Sequence, residues 1–411
     1  MRLPRIKKRR ILRFLAVMGP GIITASVDQD AGGIATYSLA GARYGFSLLW
    51  TIPFMVVSLG MIQEMNARMG IVTGKGLADL IRQRLGVRVT LVAMSVLTLA
   101  NLANTVANFA GVAASTEIYG LSRYLTVPAS ALLLSWLVVK GTYRFVEKAF
   151  LVSSGLYLVY AVSAFLARPP WLQVLHQTVR PNFHMDGAYL TMVITVVGTT
   201  IAPWMLFYLQ SSVVDKGVRI RELPYARADA YLGSVISGVM MFFIIVACGA
   251  TLFPHVIRVE TAEEAAMAIE PFAGRFAAFL FGFGLFNSSI AAGAVIPLST
   301  AYAVCEGLGW ETGIDRAARE APGFFSIYLT MVAASALLIL WPNAPLITIM
   351  YFSQTLNGIL LPFVLIFMLL LINDREIMGA RVNSSAYNLI AWGTAFLMVV
   401  LTLLLLVTSI V

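Results

Sequence analysis

Eleven apolar runs, separated by short polar connections, leave this chain few ways to fold. They lie at about 11–39, 48–66, 89–115, 125–139, 149–166, 189–214, 230–253, 276–304, 325–341, 347–372 and 387–411. A helix of about 20 apolar residues crosses the hydrocarbon layer of a bilayer, and inside that layer every backbone amide and carbonyl must be satisfied. Membrane β-strands would read as roughly ten-residue stretches of alternating polarity, which these runs are not. The expected fold is an all-α polytopic membrane protein with about 11 transmembrane helices. Composition agrees, since 59% of the 411 residues are hydrophobic and 12% charged, where a soluble domain carries about 25% charge. An ordinary soluble enzyme is excluded, and the short connections leave one domain, 1–411.

The net charge of +9 is distributed as a topology signal and not as a nucleic-acid surface. Only six of the 29 Lys and Arg fall in odd-numbered connections, namely Arg43, Arg123, Arg168, Arg180, Arg258 and Arg275. The others crowd the amino-terminal tail and the even-numbered connections, so the positive-inside rule puts the N-terminus in the cytoplasm and the C-terminus outside. The expected location is the plasma (inner) membrane, with several passes. Lys7-Lys8-Arg9-Arg10 reads as part of the same signal, in preference to a headgroup-binding device. A basic start before an apolar run also fits a secretory leader, but the first run carries the most unusual polar residues of the chain and is read as a span. Cys248 and Cys305 lie in or beside apolar runs without metal-ligand spacing, and read as packing residues. No cofactor is expected, and the chain is expected to be a monomer.

Two of the runs resist uniform helix. The first holds Asp28, Asp30, Gly32 and Gly33 in mid-span. A carboxylate at bilayer depth costs several kcal/mol unless it meets a cavity or a cation, and a Gly pair lets the backbone unwind beside it. The sixth holds Gly198-Thr199-Thr200-Ile201-Ala202-Pro203-Trp204, where proline removes an amide and frees carbonyls one turn earlier. Interrupted spans at matching positions of two halves are the sequence mark of a transport site. The pattern predicts a 5+5 inverted repeat of the LeuT/APC-like kind, with repeats at about 11–166 and 189–372, broken helices 1 and 6, and an extra helix at 387–411. Carboxylates plus unwound carbonyls make a negatively charged oxygen site, which suits a hard cation and opposes an anion.

The residues resemble a known family, the Nramp divalent-metal transporters, whose first span carries Gly-Pro-Gly followed at fixed distance by Asp-Pro-Gly-Asn. This chain has Gly19-Pro20-Gly21 and then Asp30-Ala31-Gly32-Gly33, with further similarity at 40–45, at 68–75, at Ser353-Gln354, at Leu361-Pro362-Phe363 and at 373–375. The resemblance implies that Asp30 is the direct or water-mediated ligand; the broken sixth helix offers the carbonyls of Thr199 and Ala202 as oxygen ligands; and Gln354, with Asn357 one turn on, lies where the family places a polar contact to the ion, the alternative being that the two join helices. Asp28 is unusual for the family and is expected to hold the ion's waters or to line the approach to the site.

The departures are as informative. Ala202-Pro203-Trp204 stands where the family has Met-Pro-His, and Gly33 where it has a ligating Asn. Loss of the thioether removes discrimination against hard ions, and two shortened side chains widen the pocket. Mg²⁺ dehydrates reluctantly and keeps several waters while touching one or two carboxylates. The chain is thus most similar to the Nramp-related magnesium transporter branch. Along the third span, where proton-coupled members carry acids, this chain has Thr98, Thr105 and Asn108, and His176, His184 and His255 all fall in expected outer connections. The resemblance therefore implies uptake of Mg²⁺, and also Mn²⁺, as a partly hydrated ion uncoupled from protons. The alternative is a proton-coupled Mn²⁺/Fe²⁺ symporter. An enzyme is not expected: an aspartyl-protease dyad needs two carboxylates facing across a gap, and residues two apart on one helix point about 200° apart. An amino-acid carrier is disfavoured because paired acids would repel a substrate carboxylate. Asn287, Ser288 and Ser289 read as contacts between helices, and Glu64 and Glu306 as interfacial charge pairs.

Overall fold

The computed structural model describes residues 14, 16–182, 187–257, 259, 262–342 and 346–410. Arg13, the tail residues Lys7 to Arg10, His184 and Arg258 lie outside them. Eleven helical segments match the eleven apolar runs, and no strand occurs among the described residues. Segment 1 is Pro20–Val27 with Ala31–Tyr44, segment 2 is Thr51–Thr73, segment 3 is Val87–Glu117, and segment 4 is Arg123–Lys140. Segment 5 is Tyr143–Leu156 with Leu158–Leu166, segment 6 is Gly187–Thr200 with Pro203–Asp215, and segment 7 is Leu223–Thr251. Segments 8 to 11 are Arg275–Leu308, Pro322–Ile339, Leu346–Ile372 and Ser385–Ile410.

Six stretches among the described residues are long and apolar enough to cross a membrane on those grounds alone. Segments 1, 2, 4, 10 and 11 are not among them, and for the first two the reasons are visible. The first is divided, and the second carries Gln63, Glu64, Asn66 and Arg68. Segment 2 runs to Thr73, beyond the expected end at 66, because these polar residues are packed inside the protein and not left at the water interface. Glu64 is fully buried between Arg68 at 3.2 Å and Arg227 at 2.7 Å, and Arg68 also donates to Asn383 Oδ1 at 2.6 Å. Four connecting helices among the described residues, Leu77–Leu85, Trp171–Val179, Ala262–Ala273 and the short Arg375–Met378, are additions to the expected layout. Leu77–Leu85 shows why they escape a search for long apolar runs: it buries Leu77, Ala78, Leu80 and Ile81 while Gln83 and Arg84 stay exposed.

The first half of segment 1 is fixed by segment 7. Gly19 has φ +148°, a conformation open to glycine, and its amide donates to Asp229 Oδ1 at 3.0 Å. The Gly21 amide donates to Asp229 Oδ2 at 2.6 Å. One carboxylate thus satisfies two amides that the start of a helix leaves without partners. The backbones then cross closely, since a Cβ on Gly233 would lie 2.5 Å from the Gly21 carbonyl oxygen. Lys216, just past segment 6, reaches Met18 O at 2.8 Å and Glu147 of segment 5 at 2.6 Å. Both half-helices are therefore anchored at their far ends, and the two breaks face each other in the interior.

Candidate metal site

Segment 1 breaks at residues 28–30. Asp28 caps the end of Pro20–Val27, and Asp30, in extended conformation, caps the start of Ala31–Tyr44 by accepting the Gly33 amide at 2.7 Å. Segment 6 breaks at Ile201-Ala202, with Ala202 extended and Pro203 opening the second half. Helical pairing would join the Thr199 carbonyl to the amide of residue 203, and proline has none. The Thr199 carbonyl is consequently freed by the sequence itself. The Ala202 carbonyl is less free than expected, because it accepts the Met205 amide at 3.2 Å. The C-terminal, negative ends of Pro20–Val27 and Gly187–Thr200 come to the breaks, as the helix dipole requires near a cation.

A ring of polar side chains closes round Asp30. Asn108 of segment 3 accepts the Ala31 amide at 3.1 Å and donates to Asp30 Oδ2 at 3.4 Å. Gln354 of segment 10 donates to Asp30 Oδ1 at 3.4 Å and accepts from Thr199 Oγ1 at 3.2 Å. Asn357 reaches the Gln354 oxygen at 3.5 Å. Several of these contacts exceed the usual 2.7–3.2 Å of an N–H···O bond, so the cage is loose. Gly33 faces its middle: a Cβ there would lie 3.1 Å from the Asp28 carbonyl oxygen, 3.4 Å from Asp30 Oδ1 and 3.5 Å from Thr199 Oγ1. Gly32 has a different task, since a Cβ there would collide with Gln354 at 2.0 Å.

The structure thus brings together Asp30, Gly33, Thr199, Gln354 and Asn357, five positions from three segments far apart in sequence. Thr200, next to Thr199, meets the Tyr37 hydroxyl at 3.0 Å. Asp28 is 2% exposed, and neither of its carboxylate oxygens has a hydrogen-bond partner among the described residues. Burying an unpaired carboxylate is far costlier than burying a paired one, and no donor among the described residues offsets that cost. Among the described residues no group of three or more His, Cys, Asp and Glu gathers at one point, and the site's donors are two carboxylates, amides, hydroxyls and carbonyls.

Three features were not legible as site residues. Asp229, at the start of segment 7, drew no reading from the sequence; the amides of Gly19 and Gly21, which need an acceptor at the start of a helix, were the signal. Gln29, between the two acids, donates to Ser237 Oγ at 2.8 Å. Segment 3 presents a ladder of buried amides: below Asn108 lie Asn104, whose side-chain nitrogen and oxygen have no partner among the described residues, and Asn101, which donates to Thr300 at 2.9 Å. Thr98 instead turns back on its own helix, donating to Met94 O at 2.7 Å. Asn287 exchanges hydrogen bonds with Ser153 at 2.8 and 3.0 Å, joining segments 8 and 5 as expected. His176 lies in the helix Trp171–Val179 and His255 in the turn Phe253–His255.

A family model described as "Natural resistance-associated macrophage protein-like" matches residues 21–408. The divalent metal cation transporter MntH of Verminephrobacter eiseniae is 28% identical over 402 residues, covering 92% of this chain and 85% of that protein. The MntH of Deinococcus radiodurans is 27% identical over 412 residues, with 96% and 90% covered. Among solved structures, the Eremococcus coleocola manganese transporter superposes with a TM-score of 0.83 at 19% identity, covering 99% of this chain and 88% of that one. Mhp1, a nucleobase-cation-symport-1 transporter, superposes at 0.58 with 14% identity over 90% and 82%. At such identities these superpositions speak for the fold, a multi-pass helical transporter fold with two broken helices.

Proposed function

The chain belongs to the Nramp family, and on that premise we propose that it takes up divalent metal cations, Mg²⁺ foremost and Mn²⁺ as well, as partly hydrated ions without proton coupling. The observation that carries this reading is the loose, sulfur-free oxygen cage around Asp30, with space left by Gly33 where the family has a side-chain ligand. Asp30 is the ligand, through oxygen or through one water. The Asp28 carboxylate supplies the second negative charge, and the Thr199 carbonyl, Thr199 Oγ1, Gln354 and Asn357 complete the shell or hold its waters. Mg²⁺ demands near-ideal octahedral geometry and keeps several waters, which a wide cage allows and a tight one refuses.

Absence of coupling is inferred from segment 3, where Asn108 touches Asp30 and Thr105, Asn104 and Asn101 are buried along the same helix, none of which titrates. The membrane potential suffices as a driving force. Two charges moving inward through 100 mV gain about 4.6 kcal/mol, worth about three decades of concentration. With the N-terminus cytoplasmic, as the positive-inside rule has it, inward is toward the ends of segments 1 and 6 that Lys216 and Asp229 hold together.

The test is flux in liposomes containing the purified full-length chain. Mg²⁺ and Mn²⁺ enter, Asp30→Ala abolishes entry, and an interior pH dye stays constant. The reading fails if millimolar Mg²⁺ neither enters nor competes with Mn²⁺. Acidification in step with Mn²⁺ entry would favour the proton-coupled Mn²⁺/Fe²⁺ alternative.

A further inference from the structure

We propose that the groove between segments 3 and 10 is a binding site for one anionic phospholipid, whose acyl chain wedges the two helices and whose phosphate is held by Arg88. The groove encloses about 510 Å³, within the range of about 300–1,000 Å³ typical of ligand pockets. It runs along segment 3 from Arg88 to Ala100, about 18 Å of helix, against roughly 15 Å for one leaflet of a bilayer core. Its walls open outward to the membrane: Val92 is 66% exposed and Phe363 58%.

Charge identifies the occupant. Arg88, at one end, is the sole polar residue of the lining, and it is exposed with no hydrogen bond or ion pair among the described residues. Its neighbour Arg84 is already engaged, by Asp374 at 2.8 Å and Glu376 at 2.9 Å. An unpaired guanidinium at the mouth of an apolar slot of leaflet length matches a phosphate carrying a hydrocarbon tail. It repels a basic segment such as the tail Lys7 to Arg10. On the positive-inside orientation the mouth faces the cytoplasmic leaflet.

On segment 10 the lining is next in sequence to the metal cage. Leu356 lines the groove between Gln354 and Asn357, and Ala100 adjoins Asn101. A chain that fills the slot holds the two helices at the spacing that keeps Asn108 and Gln354 at 3.4 Å from Asp30. Anionic lipid is therefore a positive regulator of metal binding.

The experiment uses the full-length chain in detergent, with phosphatidylglycerol or phosphatidylcholine added, read by native mass spectrometry and by Mn²⁺ titration. Wild type retains one phosphatidylglycerol through activation energies that strip phosphatidylcholine, and binds Mn²⁺ at least threefold more tightly with it. Arg88→Gln and Ala93→Phe, which remove the anchor and fill the slot respectively, each cut retention at least threefold. Equal retention of the two lipids, retention unchanged in Arg88→Gln, or a protein dimer in place of the lipid adduct overturns the assignment. Retention with no change in Mn²⁺ affinity overturns the coupling.

Discussion

Replacing Asp28 by Asn should act in opposite directions on the empty and the loaded protein. Both carboxylate oxygens are buried without partners, on a residue 2% exposed. An unpaired buried charge costs several kcal/mol, while an unpaired amide costs about 1–3 kcal/mol. The metal-free protein therefore gains up to about 1–3 kcal/mol from the substitution, and less to the extent that the buried carboxyl takes up a proton. A stabilisation of 1 kcal/mol raises the midpoint of a 150–250-residue domain by about 2–4 °C, and a longer chain by less, so the rise amounts to a few degrees. Binding runs the other way. With Mn²⁺ at about 100 times its dissociation constant the wild type is stabilised by about 2.7 kcal/mol, and a tenfold loss of affinity leaves about 1.4 kcal/mol at the same concentration. Thermal unfolding of the detergent-solubilised chain, with chelator and with Mn²⁺, reads both effects in one instrument. A metal-free midpoint that falls, together with a Mn²⁺-induced shift equal to that of wild type, would refute the assignment of Asp28 to the ion's shell.

Gly33→Asn places a Cβ 3.1–3.5 Å from three site oxygens, a fit achieved with small shifts, and sends an amide into the cage. Mg²⁺ uptake should fall at least about tenfold, a difference of about 1.4 kcal/mol, while Mn²⁺ uptake persists; equal losses in a competition flux assay would count against a hydrated ion. Ala202→Met restores a thioether at the second break and should tilt the same assay toward Mn²⁺, with unchanged selectivity arguing against that alignment of segment 6. Asp229→Ala orphans the amides of Gly19 and Gly21, each bonded to a charged acceptor at 3.0 and 2.6 Å. At about 1.5–3 kcal/mol for each such bond, the stability of the fold should fall by about 3–6 kcal/mol, with Asp229→Asn in between; a denaturation midpoint unmoved by the alanine would show that other groups cap segment 1.

The family's similarity was visible in short motifs, yet what those motifs do is decided by chain that lies far away. Glu64 illustrates the limit. Sequence places it at the end of an apolar run and suggests an interfacial pair, whereas the fold carries it fully inside, between Arg68 and an arginine 163 positions further on. The short amphipathic helices were invisible for a related reason: their apolar face is narrow, and only packing shows which side is covered.

What the sequence determined by itself is local and covalent. Proline at 203 has no amide, so the carbonyl of Thr199 must lose its helical partner whatever surrounds it. Acids flanking a Gly-rich stretch at bilayer depth must likewise end a helix, and long apolar runs must become spans because lipid offers the backbone no partners. Tertiary structure alone decided which donors meet those acids. Asn108 and Gln354 converge on Asp30 from 78 and 324 residues away, Asp229 reaches back across 210 residues to cap segment 1, and Asp28 is left without a donor among the described residues. Local pattern sets where a helix breaks, but the charge balance of the break is a sum over every helix packed against it, and that sum exists only in three dimensions.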